Sequence, residues 1–500
     1  MTINKIPSFL LIAGLFTVAV LIYTNSLSGD FIIDDQTGIV QNIPLHDLKG
    51  YLSQVRVRVG LFYELSRAIL WHFVGAKPFY YHLFNVFTHA ICSSLLFILC
   101  LVIFKDKALA FIAGLIFALH PIHTEAVSWI SGGHYALSSL FFILSMIFYA
   151  RSGKSLLNLL LSVIAFLFCF LTGNAVATLP LLFIVYDIFF RDRSEDNLVL
   201  RKWRLLVLLT ALTISIPVVI LYSFWKNPYT HLIFQYRGIH YLVVITKAFM
   251  YYLKILYLPI ARGLYHPFAF NTVDINRFSP AFFSSFVVIV LLIFAFFKCL
   301  KRLKPVSFGI AWYFLAYAPY SNIIPICNII SERYLYLASA GFCIVLAALF
   351  MKVWHLIHLR KNSVKALRIL ALASLTLMLF SYASLTFKRN YEYNNIILYW
   401  DSNINNFPDG YFVYNNLAAT FYVMGNIENA KAYCWITLLA DPRQPHVWCN
   451  LGRLYRESKD LARSKDCYEQ ALKIDKTYFA AVKALDEIKR EERAAKRKKK

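Results

Sequence analysis

The chain of 500 residues is too apolar for an ordinary soluble protein: 59% of its residues are hydrophobic and only 16% are charged, against about 25% charged in an average soluble domain. Its formal net charge of +24 does not indicate nucleic-acid binding, because much of the Lys and Arg lies in loops between apolar runs and in the tail from Arg493 to Lys500. The composition predicts a membrane protein.

Apolar runs of about the length that crosses a bilayer, roughly 20 residues, recur along the first 390 residues. They cover approximately residues 7–27, 82–104, 108–128, 135–150, 155–172, 175–190, 205–224, 281–297, 306–326, 335–354 and 367–387. The sequence therefore predicts an all-α fold, a polytopic membrane helical bundle of about eleven spans that occupies residues 1–389.

Basic residues cluster in alternate loops, and short basic loops stay in the cytoplasm. The intervening short loops, around residues 129–134, 172–174 and 323–333, contain a single basic residue, Arg333. These loops are therefore predicted to face the periplasm or lumen. The stretch Tyr241–Ile260 would reverse the alternation if it were a twelfth span, so we predict that it lies in the interface or re-enters the membrane.

A repeat with a period of 34 residues follows the last span. The sequence Asn416–Ala418 recurs as Asn450–Gly452, and this period is typical of tetratricopeptide repeats. We predict a linker over residues 390–410, repeats with a cap helix over 411–490 and a basic tail over 491–500. Such repeats bind proteins or peptides, so we expect this domain to recruit a partner and to carry no chemistry.

Two adjacent carboxylates, Asp34 and Asp35, follow the first span. Adjacent carboxylates repel each other, which raises the pKa of one of them and makes a base or a metal ligand available. A solvated pair of loop carboxylates is the alternative.

A second polar cluster, His120, His123 and Glu125, lies at the outer end of the third run. The two imidazoles could bind a metal, donate to a phosphate, or pair with Glu125 so that the three side chains satisfy one another. Without a third certain ligand the case for a metal is weak.

A third cluster, Glu332, Arg333 and Tyr334, precedes the tenth run. The guanidinium fork of Arg333 can bind a phosphate through two parallel hydrogen bonds, and a structural tie to Glu332 or to an Asp is the alternative. Tyr334 is either part of the site or one of the aromatic residues at the membrane interface. All three clusters are predicted on the same membrane face, as in an enzyme that takes a phosphate-linked group from a lipid.

The order of these motifs resembles the family of transmembrane and tetratricopeptide repeat-containing proteins, membrane glycosyltransferases of the GT-C class related to protein O-mannosyltransferases. Together with the repeats the resemblance covers nearly the whole chain. The resembling stretches are Asp34-Asp35 with Asn42, residues 118–127, Thr178–Pro180 through Tyr186-Asp187, residues 321–325 and Glu332–Tyr336.

The resemblance implies that Asp34, with Asp35 beside it, occupies the position of the catalytic base. It implies a polyprenyl-phosphate sugar as donor, a hydroxyl of Ser or Thr in an exported protein as acceptor, and inversion at the sugar carbon. Arg333 would contact the donor phosphate, assisted by His120 or His123, with Glu125, Glu332 and Tyr334 in support. No cofactor is certain, and a divalent metal stays open.

Two departures from the family pattern leave alternatives open. Gly173-Asn174 stands where the family usually carries Lys-Glu, and Gly132–Tyr135, with Gly133 and Tyr135, stands where it usually carries Gly-Arg-x-Asp. The alternatives are a catalytically inactive scaffold that recruits proteins through its repeats, and a flippase or transporter of lipid-linked sugar. The short loops favour a bacterial inner membrane, an endoplasmic reticulum being compatible too, with the repeats on the periplasmic or lumenal side.

Overall fold

The computed structural model describes residues 2–191, 198–225, 239–259, 280–323, 326, 330–359, 365–406 and 411–498. Ile324 and Pro325 of the resembling stretch and the basic positions Arg193, Arg360 and Lys361 lie outside these ranges. The chain divides into two units between Asn394 and Asn395.

The first unit is built from helices, which confirms the all-α prediction. They are α1 (Ser8–Ile22), α2 (Ile43–His46), α3 (Leu48–Gln54), α4 (Leu61–Val74), α5 (Pro78–Phe104), α6 (Lys107–Leu119), α7 (Thr124–Val127), α8 (Gly133–Arg151), α9 (Leu156–Thr172), α10 (Leu179–Phe189), α11 (Leu198–Trp225), α12 (Ile239–Tyr257), α13 (Pro280–Cys299), α14 (Lys304–Tyr317), α15 (Ala338–Leu359) and α16 (Lys365–Glu392).

Several of these helices are long and apolar enough to cross a membrane. Five qualify individually, Pro78–Phe104, Ile130–Arg151, Phe282–Cys299, Ala338–Leu359 and Lys365–Glu392, and a sixth is the pair Lys107–Leu119 and Pro121–Val127, bent by 51°. Three shorter apolar helices are Ser8–Ile22, Leu156–Thr172 and Ala175–Phe189. The chain is therefore a multi-pass membrane protein, and the count of eleven spans stays a prediction.

The bend between α6 and α7 has a local cause. Pro121 disfavours a helical conformation at the residue before it, and His120 is extended, with φ −71° and ψ 125°. The helix accordingly ends at Leu119. The break turns the polar segment from His120 to Glu125 into the interior, where it is buried.

The helices run between a basic end and a second, polar end. At the basic end the Lys107 ammonium donates to the carbonyl oxygen of Ile6 (3.0 Å), and the Lys304 ammonium donates to that of Phe189 (2.8 Å). Since α6 begins at Lys107 and ends at Leu119, the break at His120 lies at the other end, where the loops that contain the candidate residues also meet.

Helix α12 is the stretch that the sequence predicts to be interfacial or re-entrant. Its C-terminal half is packed into the polar end: Tyr252 is buried, and its hydroxyl accepts from the backbone N–H of Ser331 (2.8 Å). The path of this helix through a membrane stays a prediction.

The second unit contains a helix, Ile396–Asn406, within the range predicted as a linker. Four repeat helices follow, Tyr411–Val423, Ile427–Ala440, Pro445–Glu457 and Leu461–Ile474, and then a long cap helix, Phe479–Lys498. This last helix continues into the range predicted as a basic tail, because Ala, Glu, Lys and Arg all favour helix.

The second repeat closes around a glycine. A Cβ atom at Gly452 would lie 2.9 Å from the ring of Tyr468, so the two helices of the repeat approach as closely as the backbone allows. The Ser464 hydroxyl donates to the carbonyl oxygen of Gly452 (2.7 Å) and is buried. Ser464 thus ties the second helix of the repeat to the first.

Candidate active site

Contacts bring the three polar clusters together at one end of the bundle. The Asp35 carboxylate accepts from the backbone N–H of Ser131 (2.8 Å), just beyond the second cluster. Glu125 of that second cluster forms an ion pair with Arg333 of the third. The structure thus places all three clusters at one end of the bundle, whereas the membrane face on which they are predicted stays a prediction.

The two adjacent carboxylates have opposite environments. Asp35 is fully buried and accepts from Ile32 N–H (3.1 Å), from Ser131 N–H (2.8 Å) and from the Ser131 hydroxyl. Asp34 is exposed, and its carboxylate makes no hydrogen bond or ion pair with the part of the chain that the structure describes. Asp35 therefore anchors the loop, and Asp34 is available to a substrate.

The chain turns sharply just before this pair. Ile33 has a φ of +51°, in the left-handed region that β-branched residues rarely adopt. Such outliers persist only where surrounding contacts hold them, and here Asp35 holds both Ile32 and Ser131. The turn directs the neighbouring carboxylates in different directions.

The pKa of Asp35 is raised, as expected for one member of the pair, but the cause differs from the expected one. Burial raises the pKa of Asp35 to about 6, while the hydrogen bond from Ser131 and the nearby Arg67 guanidinium oppose the rise. Desolvation rather than repulsion by Asp34 therefore makes this carboxyl easier to protonate.

Glu125 is the centre of the link between the second and third clusters. Its carboxylate accepts from the Ser331 hydroxyl (2.8 Å), from the backbone N–H of Arg333 (3.0 Å) and from the Arg333 guanidinium. Two of these donors, the Ser331 hydroxyl and the Arg333 N–H, belong to the backbone or lie next to it, so the contacts require one backbone arrangement of the 331–333 loop. Glu125 thus fixes that loop.

Arg333 is held on its other faces by aromatic rings. Its guanidinium carbon lies 5.1 Å from the ring centroid of Trp129, 5.2 Å from that of Tyr334 and 5.8 Å from that of Tyr135. Tyr334 is itself buried and stacks on Tyr320. Tyr334 therefore lines the site and is not one of the aromatic residues at the membrane interface.

Glu332 does not pair with Arg333, so the alternative of a structural tie between these two neighbours is wrong. The Glu332 carboxylate instead pairs with Arg389 near the end of α16, and the Arg389 guanidinium also donates to the carbonyl oxygen of Pro121 (3.1 Å). Burial raises the pKa of Glu332 to about 7, and the charge of Arg389 opposes the rise. Consecutive residues of a turn point apart, which is why each finds a different partner.

Protein groups occupy both ring nitrogens of His120. Its Nδ1 accepts from the backbone N–H of Ile122 (3.1 Å), so the proton lies on Nε2, which donates to the carbonyl oxygen of Leu256 (3.0 Å). The ring is fully buried. These contacts argue against a phosphate contact and assign His120 to the junction between the helix break and α12.

Only one ring nitrogen of His123 has a protein partner, and its buried Nδ1 has no hydrogen-bond partner in the described residues. The Ser339 hydroxyl donates to the carbonyl oxygen of Tyr336 (2.8 Å) and therefore accepts from Nε2 of His123 (2.7 Å). The ring is fully buried, and neither His123 nor His120 contacts Glu125 within the described chain. Both the expected phosphate contact and the expected mutual pairing thus lack support.

The departures from the family pattern are packed into the structure. A Cβ atom at Gly133 would lie 1.9 Å from Oδ1 of Asn85, so Asn85 occupies the space that a side chain at position 133 would need. Tyr135 stands 4.0 Å from His134 and 5.8 Å from Tyr334 between ring centroids. At Gly173 a Cβ atom would lie 3.1 Å from the Ser138 hydroxyl.

The sequence does not single out Arg67 of α4 as a candidate. Its guanidinium lies 4.0 Å from the ring centroid of Tyr63, donates to the Tyr63 hydroxyl (2.7 Å) and acts on Asp35 electrostatically. A lone Arg among apolar residues of a short helix has no pattern to distinguish it. Only the folded loops bring it to the acidic pair.

A divalent metal is one of the alternatives that the sequence leaves for this site. Among the residues that the structure describes, no group of three or more His, Cys, Asp or Glu side chains is placed to hold a metal ion. His120 and His123, the sequence candidates, have ring centroids 5.9 Å apart and separate protein partners.

Comparison with known proteins adds to this geometry. Residues 445–478 match a family model described as tetratricopeptide repeat. Protein O-mannosyl-transferase TMTC3 of Homo sapiens is 25% identical over 92% of this chain and 54% of its own length, and that of Mus musculus is 26% identical over 89% and 52%. The chain is similar to these transmembrane and tetratricopeptide repeat-containing proteins over most of its length.

Similarity to this family is higher over part of the chain. Protein O-mannosyl-transferase tmtc2 of Xenopus laevis is 36% identical over 148 residues, which are 27% of this chain and 18% of that protein. The chain spans about half the length of the first two relatives of the family, 54% and 52%.

Proposed function

We propose that the chain is a membrane glycosyltransferase that moves a mannose-like hexose from a polyprenyl-phosphate donor to hydroxyl groups of exported proteins. The observation that carries this proposal is the exposed Asp34 carboxylate, which stands beside the buried anchor Asp35. The names of the relatives, protein O-mannosyl-transferases, support the reaction class.

The proposed step needs one base and a good leaving group. Asp34 accepts the proton of the acceptor hydroxyl as its oxygen attacks the anomeric carbon of the sugar. The bond between that carbon and the phosphate oxygen breaks on the opposite face, and the lipid phosphate leaves with the electron pair, so the configuration inverts. A positive charge near the departing phosphate would stabilise it.

The contacts of this chain support separate roles for its other polar residues. Asp35 anchors the loop of Asp34 to Ser131, and Glu125 anchors the loop of Arg333. A base must be held within hydrogen-bond reach of its proton. We therefore assign these residues to positioning, and we place the polar end on the periplasmic or lumenal side.

The test is transfer by the purified full-length chain in vesicles that contain a polyprenyl-phosphate mannose, with peptides rich in Ser and Thr as acceptors. Mass spectrometry should detect hexose on hydroxyl side chains, and glycan analysis should show its loss from exported proteins when the chain is deleted. Complete absence of transfer with dolichyl and undecaprenyl donors alike, by protein that still binds them, would favour the inactive scaffold.

Sidedness is tested separately with reporter fusions. Fusions at Lys301 and at Asp409 should report opposite sides, cytoplasmic for the first and external for the second. If α12 is a full span, both readings reverse, with Lys301 external and Asp409 cytoplasmic, and the proposed side for the repeats is rejected.

A further inference from the structure

Arg67 lies against the loop that contains Asp34. A Cβ atom at Gly38, in the turn that follows Asp34-Asp35, would lie 3.8 Å from Nη1 of Arg67. Nη2 of Arg67 reaches the other side of the site, where it donates to the Tyr63 hydroxyl (2.7 Å) and to the carbonyl oxygen of Ile130 (3.4 Å). Ile130 precedes Ser131, the partner of Asp35.

The charge of Arg67 is not neutralised by a carboxylate at contact distance. Arg333 pairs with Glu125 and Arg389 pairs with Glu332, whereas Arg67 forms no ion pair with the part of the chain that the structure describes. Its contacts are an aromatic ring, a hydroxyl and a carbonyl oxygen. These hold the guanidinium in place without cancelling its charge.

The arrangement leaves donors unused. Nε of Arg67 is buried and has no hydrogen-bond partner in the described residues, and Nη1 makes no hydrogen bond there. A guanidinium that is held on one edge by Tyr63 can present another edge to an anion, and its fork fits phosphate and carboxylate.

We infer that Arg67, rather than Arg333, binds the phosphate that links the sugar to its lipid in the donor. This inference rests on the proposed function and names the cation of that same site. A polyprenyl phosphate brings one anionic phosphate on an apolar chain to the membrane surface. Arg67 stands beside Gly38 in the loop of the proposed base, so it belongs to the same site.

The experiment measures binding of polyprenyl phosphate to the full-length protein in phosphatidylcholine nanodiscs, with the uncharged polyprenol of the same length as the control ligand. Replacing Arg67 with Gln should weaken polyprenyl phosphate binding roughly ten- to hundred-fold, the worth of hydrogen bonds to a charged group, and should leave polyprenol binding unchanged. Arg67→Lys should fall between, because it keeps the charge without the fork.

Arg58→Gln is the matched control variant. Arg58 precedes the same helix and pairs with Glu64 (2.5 Å) at an exposed position, so its loss should change phosphate binding little. Melting temperatures of all variants are measured in the same nanodiscs. If Arg67→Gln does not fold, the ratio of phosphate to polyprenol affinity in Arg67→Lys carries the test.

The possible outcomes are distinct. Wild-type affinity of Arg67→Gln for polyprenyl phosphate, or an equal loss for polyprenol, overturns the inference, and so does competition by phosphatidylglycerol as strong as that by polyprenyl phosphate. A loss in Arg333→Lys with none in Arg67→Gln makes Arg333 the phosphate ligand. Equal affinity of the wild-type protein for polyprenyl phosphate and for polyprenol would reject the proposed function itself.

Discussion

Glu125 and Arg333 form an ion pair between residues 208 positions apart in the sequence. Both side chains are largely buried, with 4% and 11% of their surfaces exposed. The pair joins the helix that follows the break at His120 to the loop before α15. It makes Arg333 a structural element of the site before any substrate arrives.

Replacing Arg333 with Lys should therefore lower stability more than donor affinity. A point ammonium keeps the charge but loses the planar contacts with Glu125 and three rings, and removing one partner of a buried pair outright costs about 3–5 kcal/mol. We expect Arg333→Ala to be destabilised by that amount and Arg333→Lys by less. Thermal denaturation and polyprenyl phosphate binding are measured on the same purified variants.

A double-mutant cycle with Glu125→Gln checks the pair itself. The two changes should be strongly non-additive in melting temperature. Additive losses of melting temperature would contradict the coupling. A normal melting temperature together with weakened polyprenyl phosphate binding in the Arg333 variants would instead indicate that Arg333 binds the donor phosphate.

Replacing Asp34 with Asn should abolish sugar transfer and leave the fold intact. Its carboxylate is exposed and has no partner in the described chain, so stability does not depend on it, whereas a base cannot be replaced by an amide. Asp30→Asn, four residues earlier and also exposed, is the control and should transfer at the wild-type rate. Asp35→Asn should lose less transfer than Asp34→Asn, and wild-type transfer by Asp34→Asn would reject its assignment as base.

Asp35 should make the stability of the protein depend on pH. Its pKa is about 6 in the folded protein against 3.8 as the ordinary value, so the folded state binds its proton more tightly. The contribution of the Asp35 carboxyl to the free energy of unfolding is fully present below about pH 4 and is lost as the pH rises through about 6. Its size is on the order of 3 kcal/mol.

The measurement is the melting temperature between pH 4 and pH 7 in one detergent. Wild type and Asp30→Asn should share this decline, and Asp35→Asn should lack the part that belongs to Asp35, with the contribution of Glu332 remaining. Identical pH profiles for wild type and Asp35→Asn would contradict the raised pKa.

The sequence alone predicts that the chain is a membrane protein and that its polar loops lie together, because the length of apolar runs and the alternation of Lys and Arg are local signals. Asp34 and Asp35 are conspicuous for a similar reason, as carboxylates are rare in such a chain. The partners of charged residues are not local. Glu332 finds Arg389, which is 57 residues away, and no spacing rule distinguishes it from Arg333 next door.

The same limit applies to residues that the sequence singles out too strongly. His120 and His123 look like ligands because they are three residues apart, but the helix ends at Leu119, before both of them, so they do not share a helical face. Arg67 is overlooked because its neighbours in sequence are ordinary. Its role depends on Tyr63, Ile130 and Gly38 in the folded chain.

The repeat unit should be sensitive to a single methyl group at Gly452. Its Cβ would lie 2.9 Å from the Tyr468 ring, and overpacking of this kind costs about 1–3 kcal/mol. Gly452→Ala should therefore lower the unfolding transition of the repeats and weaken transfer to protein acceptors, while polyprenyl phosphate binding stays at the wild-type level. Ala419→Gly, at an exposed helical position in the first repeat, controls for a small change in the repeats; unchanged protein transfer by a destabilised Gly452→Ala would reject the recruiting role.

Gly133 and Asn85 should behave as a complementary pair. The Asn85 amide donates to the carbonyl oxygens of Trp129 (3.2 Å) and Ile130 (3.1 Å) and so holds the segment that leads to Ser131. A Cβ atom at position 133 would overlap its Oδ1 at 1.9 Å, and a displaced Asn85 would remove one donor from each of those carbonyl oxygens.

Gly133→Ala should therefore destabilise the protein by roughly 2–4 kcal/mol, the sum of overpacking and lost buried hydrogen bonds. Asn85→Gly should cost the hydrogen bonds and the penalty of a glycine inside α5, and the double variant should be no worse than Asn85→Gly, because the space that Asn85 fills is then free for the new methyl group. Melting temperatures of the three variants decide this. Additive losses in the double variant would show that position 133 is a glycine for some reason other than Asn85.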